Sequence, residues 1–177
     1  MASCAGLTLP SANAHRLLVP TGASAAPDSA ALADAISRFQ ELVLLRNRAR
    51  PHFGELLNPS RQAIGTNPLC GDRLTVELVV VGDRIVQSAF YGEMSAISVA
   101  AAEILCTQIE NLSLADAEAR LRAAQSMLAG RQDLAAGDEF QCFTVVRRYP
   151  NRLKTATLPV ATLLAAVRGD SAPVSTE

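Results

Sequence analysis

Apolar residues along the chain change their spacing several times. From Ser29 onward, Leu32, Ile36, Phe39 and Val43 recur every three or four residues, which predicts one stripe of an amphipathic helix. Asp28 or Ser29 can cap its start. Arg46, Arg48 and Arg50 suit the negative end of its dipole, and Pro51 stops it. The next stretch, HFGELLNPSRQAIGTNP, is broken by Gly54, Pro59, Gly65 and Pro68 and reads as loop. The period then falls to two. Leu74, Val76, Leu78 and Val80 alternate with Thr75, Glu77, Val79 and Val81, Gly82-Asp83 turns, and RIVQSAFY continues, an antiparallel hairpin with one buried face.

Helical spacing returns after Tyr91-Gly92 in SAISVAAAEILCTQIE, whose small residues permit close packing on a sheet. Ser113 can cap a second amphipathic helix, LADAEARLRAAQSMLAG, which Gly130 ends. A polar loop through Gly137 leads to FQCFTVV. Pro150 then opens a last helix, near Asn151 to Val167, that Pro159 should kink. The expected fold is α+β: a small antiparallel sheet packed on one face by helices, with an N-terminal amphipathic helix. Residues 1–28 are rich in Ala, Ser and Pro, hold no acid before Asp28, and read as a disordered tail. Residues 29–168 form the domain, and 169–177 read as a second tail.

Composition narrows the classes. The 177 residues are 49% hydrophobic, enough for one domain with a core, and no apolar run reaches membrane-spanning length. With 16 Lys+Arg against 17 Asp+Glu, the net charge points to neither nucleic acid nor a membrane surface. No Trp and only Tyr91 and Tyr149 among tyrosines argue against a base-stacking platform. The basic run Arg147 to Lys154 (RRYPNRLK) reads as a solvated loop and helix start, or as a partner-docking surface. Cys4, Cys70, Cys106 and Cys142 form no CxxC pair and no dense scaffold, so free thiols in a reducing, cytoplasmic setting are expected. An organelle becomes the alternative if the acid-poor residues 1–28 are a transit peptide. His15 and His52 read as solvated. Neither lies near a candidate nucleophile, and GTNPLCGD lacks the Lys and Ser/Thr of a phosphate-binding loop.

The chemistry concentrates in NPLCGD, residues 67–72, a Pro/Gly turn that offers a thiol and a carboxylate before a strand. NPLCGD, then FYGEMSAISVAAAEIL, then YPNRLKTATLP resemble the U-type iron–sulfur cluster scaffold proteins: IscU, SufU and the N-terminal domain of NifU. The resemblance covers roughly Ile36 to Ala166. Asn67, Pro68, Cys70, Gly71 and Asp72 match the first motif; Gly92, Ala96, Ile97 and Ser98 the second; Arg152, Lys154, Ala156, Thr157 and Leu158 the third. Lys154, in place of His, looks like the SufU branch.

That resemblance implies three cysteines that, helped by an aspartate, hold zinc or a nascent cluster, and a pyridoxal-phosphate cysteine desulfurase as the sulfur donor. Here the metal positions retained are Cys70 and Asp72. The second ligand cysteine falls on Ser95, with Met94 in place of the small residue before it, and the third falls on Thr155. Thiolates select zinc and clusters, whereas neutral hydroxyls are poor ligands for either. Structural zinc takes four strong ligands, and two remain. No cofactor is firmly expected; weakly held zinc or iron is the alternative. Cys106, roughly 16 Å along the helix from Ser95 at about 1.5 Å per residue, cannot share an ion there and reads as core. Glu93, Met94, Ser95, Arg152 and Thr155 would line the pocket. Asp72 could also cap its own turn.

Cys70 is the expected nucleophile, made reactive by the N–H groups of its turn and by Lys154. The reading is a sulfur relay that accepts persulfide sulfur on Cys70, since exchange needs only an accessible thiolate. Two alternatives stand beside it. One is an enzyme that reuses the metal cavity as a substrate pocket, with Cys70 as nucleophile and Lys154 and Glu93 as proton carriers. The other is a non-catalytic pseudo-scaffold that regulates a desulfurase or an intact paralogue. A homodimer, or pairing with an intact scaffold, would allow ligands from a second chain.

Overall fold

The computed structural model describes residues 29–176, so the tail or transit-peptide reading of residues 1–28, with Cys4 and His15, lies outside it. The chain runs through α1 (Ser29–Arg48), β1 (Arg61–Asn67), β2 (Asp72–Val81), β3 (Arg84–Glu93), α2 (Ala96–Ile109) and α3 (Leu114–Leu128). A 3₁₀ stretch (Glu139–Arg148), α4 (Pro150–Arg168) and β4 (Val174–Ser175) complete it. The four strands lie in the order β3-β2-β1-β4. Three pair antiparallel, and β4 joins β1 in parallel. Helices cover one face, giving the expected α+β architecture.

The hairpin follows its alternation. Leu74, Val76 and Leu78 are buried and lie opposite Gly92, Phe90 and Ser88, while a register shift between Val79 and Val80 leaves Val80 half-buried. Ser95 and Ser113 cap α2 and α3 by accepting the N–H groups of Ser98 and Asp116. The 3₁₀ stretch buries Phe140, Phe143 and Val146, a spacing of three that suits its tighter turn. α4 runs unbroken through the buried Pro159. No helix among the described residues is long and apolar enough to cross a membrane.

Three expectations need correction. The stretch read wholly as loop contains β1. Its inward residues are Ala63, Gly65 and Asn67, which carry little apolar signal, and α4 is the reason they are small. A Cβ at Gly65 would collide with the Thr162 hydroxyl and come within 2.9 Å of Leu158 Cδ1. The segment read as a C-terminal tail returns to the sheet. Gly169, at φ 77, ends α4, and Val174–Ser175 then pair with Gly65–Thr66. Two residues of strand carry no period to read.

His52 is the third correction, because it is clamped rather than solvated. Its side chain is 14% exposed, with Nδ1 2.6 Å from Glu103 and Nε2 3.5 Å from Glu110. The segment that carries it straps the free edge of β3: Phe90 N–H donates to the His52 carbonyl and Gly54 N–H to that of Phe90, each at 2.9 Å. The Phe53 and Phe90 rings meet edge-on at 5.6 Å.

Candidate functional site: the Cys70 turn and the start of α2

The turn between β1 and β2 is organised by one residue. The Asn67 side-chain oxygen accepts the Leu69 N–H at 3.1 Å, and its carbonyl accepts the N–H groups of Cys70 at 3.3 Å and Gly71 at 2.9 Å. Gly71 takes φ 77, which an L side chain would resist. The result lifts Cys70 into solvent at the tip. The N–H groups expected to face the thiol are therefore taken by Asn67 instead.

Cys70, Ser95 and Thr155, the positions where the resemblance leads one to expect ligands, do come together around this turn. Thr155, on the first turns of α4 and buried, brings its hydroxyl to 3.8 Å from Cys70 Sγ and 3.0 Å from the Asn151 carbonyl. Asp72 is buried at the start of β2. Its carboxylate accepts the Ser95 N–H at 2.9 Å, the Ser95 hydroxyl at 3.1 Å and the Ser98 hydroxyl. It thus anchors the N-terminus of α2, where an acid is favoured by the exposed N–H groups and the dipole. It does not cap its own turn.

Ser98 ties the two halves together. Its one O–H faces two acceptors, the Asp72 carboxylate and the Thr155 carbonyl, the latter at 3.1 Å, and can turn to either. That carbonyl needs an outside donor because Pro159, four residues on, has no N–H to give it. The proline that sequence reading marks as a kink thus frees an acceptor at the site, a role that the i to i−4 rule would have revealed. Ser98 itself was legible only as a matching motif position.

The remaining candidates make no direct bond to the thiol or the carboxylate among the described residues, although Glu93 lines one open groove with Asn67 and Asp72. Glu93 is exposed and lies opposite Arg73 across the strand pair, while Met94 packs half-buried against the core. The Arg152 guanidinium sits over the Tyr149 ring at 4.9 Å. Lys154 is half-buried. None of these four hydrogen-bonds to Cys70 or Asp72 among the described residues. Cys106 is fully buried, and burial pushes its thiol up to about 12. Cys142 lines a groove of about 560 Å³ with Asp34 and Arg38 of α1, and burial raises its pKa. A group of three or more His, Cys, Asp or Glu side chains able to hold a metal ion is absent from the described residues.

A small sheet backed by helices, with a thiol turn facing the starts of two helices, defines the class. Residues 42–147 match the NifU-like N terminal domain, and the chain belongs to that family. It is 28% identical over 119 residues to the zinc-dependent sulfurtransferase SufU of Bacillus subtilis, covering 66% of this chain and 80% of the relative. It is 26% identical over 139 residues to the iron–sulfur cluster assembly scaffold protein IscU of Streptococcus pyogenes, covering 76% and 87%. Among solved structures it resembles a protein assigned as the scaffold for the SUF system of Fervidobacterium islandicum AW-1. That match has a TM-score of 0.68 at 27% identity, covering 74% of this chain and 97% of the other. The NifU-like N-terminal protein of Brucella abortus shares the fold, with a TM-score of 0.67 at 20% identity over 78% and 96%.

Proposed function

We propose that this protein accepts a sulfane sulfur on Cys70 from a cysteine desulfurase and passes it on, holding no zinc ion or complete cluster by itself. The observation that carries this reading is the donor set at the Cys70 turn. One exposed thiol faces a hydroxyl at Thr155, and the Asp72 carboxylate accepts from Ser95 and Ser98. A zinc site wants four strong ligands, and an iron–sulfur cluster wants thiolates. The residues present do not fit either group. A sulfur relay asks for less, a single accessible nucleophile.

In the transfer, the Cys70 thiolate attacks the outer sulfur of a donor cysteine persulfide. The donor's S–S bond breaks as the new one forms on Cys70, and the donor leaves as a thiolate that takes up the proton Cys70 gave away. Nothing is oxidised or reduced overall. Thr155 can rotate its hydroxyl from the Asn151 carbonyl to the sulfur as negative charge gathers there. The family relationship to a sulfurtransferase and a scaffold supports the choice of donor.

The test is anaerobic purification with elemental analysis, followed by incubation with a cysteine desulfurase and radiolabelled cysteine. Metal far below one ion per chain, with label on wild type and none on Cys70→Ser, is expected. Near-stoichiometric metal that disappears in Cys70→Ser would replace this reading with a scaffold that finds other ligands. Absence of label would remove the relay.

A further inference from the structure

At the base of the Cys70 turn lies a donor that finds no acceptor among the described residues. Asn67 is 1% exposed, and its Nδ2 is a buried amide nitrogen without a hydrogen-bond partner among the described residues. Its other polar atoms are fully used, Oδ1 by Leu69 and the carbonyl by Cys70 and Gly71. Leaving an amide donor unpaired in the interior is costly, so such groups gather where something else supplies the acceptor. Serine or aspartate would build the same turn without that cost.

The register says which side the amide occupies. Asn67 lies directly opposite Asp72, and both belong to the buried face of the sheet, where Ser98 and Thr155 close the site. Cys70 Sγ is 3.8 Å from the Asn67 carbonyl and 3.8 Å from the Thr155 hydroxyl. A sulfur added to Cys70 extends it by about 2 Å, the length of an S–S bond. The added atom is anionic as a persulfide and accepts hydrogen bonds.

We propose that the Asn67 side-chain amide is the binding group for the outer sulfur of persulfidated Cys70, with the Thr155 hydroxyl as the second donor. This rests on Cys70 being the sulfur carrier and adds the pocket that retains the cargo. Two neutral donors hold an anionic sulfur without any metal.

Inorganic polysulfide is the probe. Its terminal sulfur is transferred to the Cys70 thiolate and the polysulfide leaves one atom shorter, so no other reagent is needed. Peptide mass spectrometry follows the persulfide on Cys70 over time in wild type, Asn67→Asp, Asn67→Ser and Thr155→Val. Asn67→Asp keeps the acceptor for Leu69 but replaces the donor with an oxygen that repels the cargo; Asn67→Ser keeps a turn-forming oxygen and lacks the amide.

Wild type should retain the persulfide, and both Asn67 variants should lose it several-fold faster, with the order Asn67→Asp fastest. Thermal unfolding midpoints like that of wild type exclude a misfolded turn, and Asn67→Ser serves if Asn67→Asp does not fold. Equal retention in wild type and a folded Asn67 variant overturns the assignment of the amide. Failure of wild type to load at Cys70 overturns instead the reading of Cys70 as carrier.

Discussion

Two buried acids flank the same helix and are held in opposite ways. Asp72, 4% exposed, accepts only from neutral groups at the start of α2. Glu103, fully buried further along α2, accepts from the His52 ring and the His52 N–H, with Glu110 on the other side of the imidazole. The first arrangement surrounds the only exposed free cysteine among the described residues, and the second fastens the strap over the β3 edge. The contrast teaches where charge is used. At the thiol, the donor groups are neutral: the Ser95 and Ser98 hydroxyls satisfy the Asp72 carboxylate, and the Thr155 hydroxyl lies between the Asn151 carbonyl and the sulfur. The ionisable pair is kept away from the chemistry, as a structural clasp.

The sharpest way to break this contrast is to reverse it. Ser95→Cys with Thr155→Cys returns two thiols to the site beside Cys70, and removes the Ser95 hydroxyl from Asp72. We expect the double variant to gain near-stoichiometric zinc after anaerobic zinc loading, read by elemental analysis, while wild type stays far below. Equal zinc in both would mean that hydroxyls are not what empties the site.

At the other acid, His52→Ala should cost about 3 to 5 kcal/mol, because it leaves a fully buried carboxylate without its charged partner. His52→Leu with Glu103→Leu should regain most of that loss in urea unfolding. If the single variant costs under about 1 kcal/mol, the clasp has no more weight than a surface pair.

Gly65→Ala tests the approach of α4 to β1, which sets Thr155 against Cys70. Crowding Thr162 and Leu158 should cost about 1 to 3 kcal/mol and slow persulfide loading of Cys70 together with it. Unchanged stability would show that α4 can move away freely.

The smallest effect is in pH. The hydrogen bond that the His52 ring donates to Glu103, aided by the charges of Glu103 and Glu110 and opposed by burial, raises the His52 pKa. The folded state therefore holds this proton more tightly than the unfolded one. The resulting stability is fully present below the unfolded value, about 6.5, and is lost as pH rises through the higher folded value. The difference in urea midpoint between wild type and His52→Gln should shrink from about pH 6 to about pH 9. A pH-independent difference would remove the imidazolium from the account. Sulfur loading compared at equal folded fraction should show no such dependence on His52.

Much of the site was legible because it is local. NPLCGD specifies its turn within six residues, and Ser95 and Thr155 could be placed by short motifs around Gly92, Ala96-Ile97-Ser98 and Ala156-Thr157-Leu158. The roles of Asn67 and Ser98 were not legible, since an amide unpaired among the described residues and a hydroxyl facing two acceptors exist only once β1, α2 and α4 converge. Cys142 could be assigned only after the 3₁₀ stretch was seen packed on α1.

By itself the sequence determined the hairpin, the capped helices, the thiol turn and the hydroxyls at Ser95 and Thr155. Each of these is written in neighbouring residues, through period, cap chemistry or φ preference. Only the tertiary structure decided that Ala63, Gly65 and Asn67 make a strand, that Val174–Ser175 close the sheet, and that His52 is clamped between Glu103 and Glu110. Those depend on contacts between residues far apart in the chain. There a small residue or a lone histidine acquires its meaning from what approaches it, which no local pattern records.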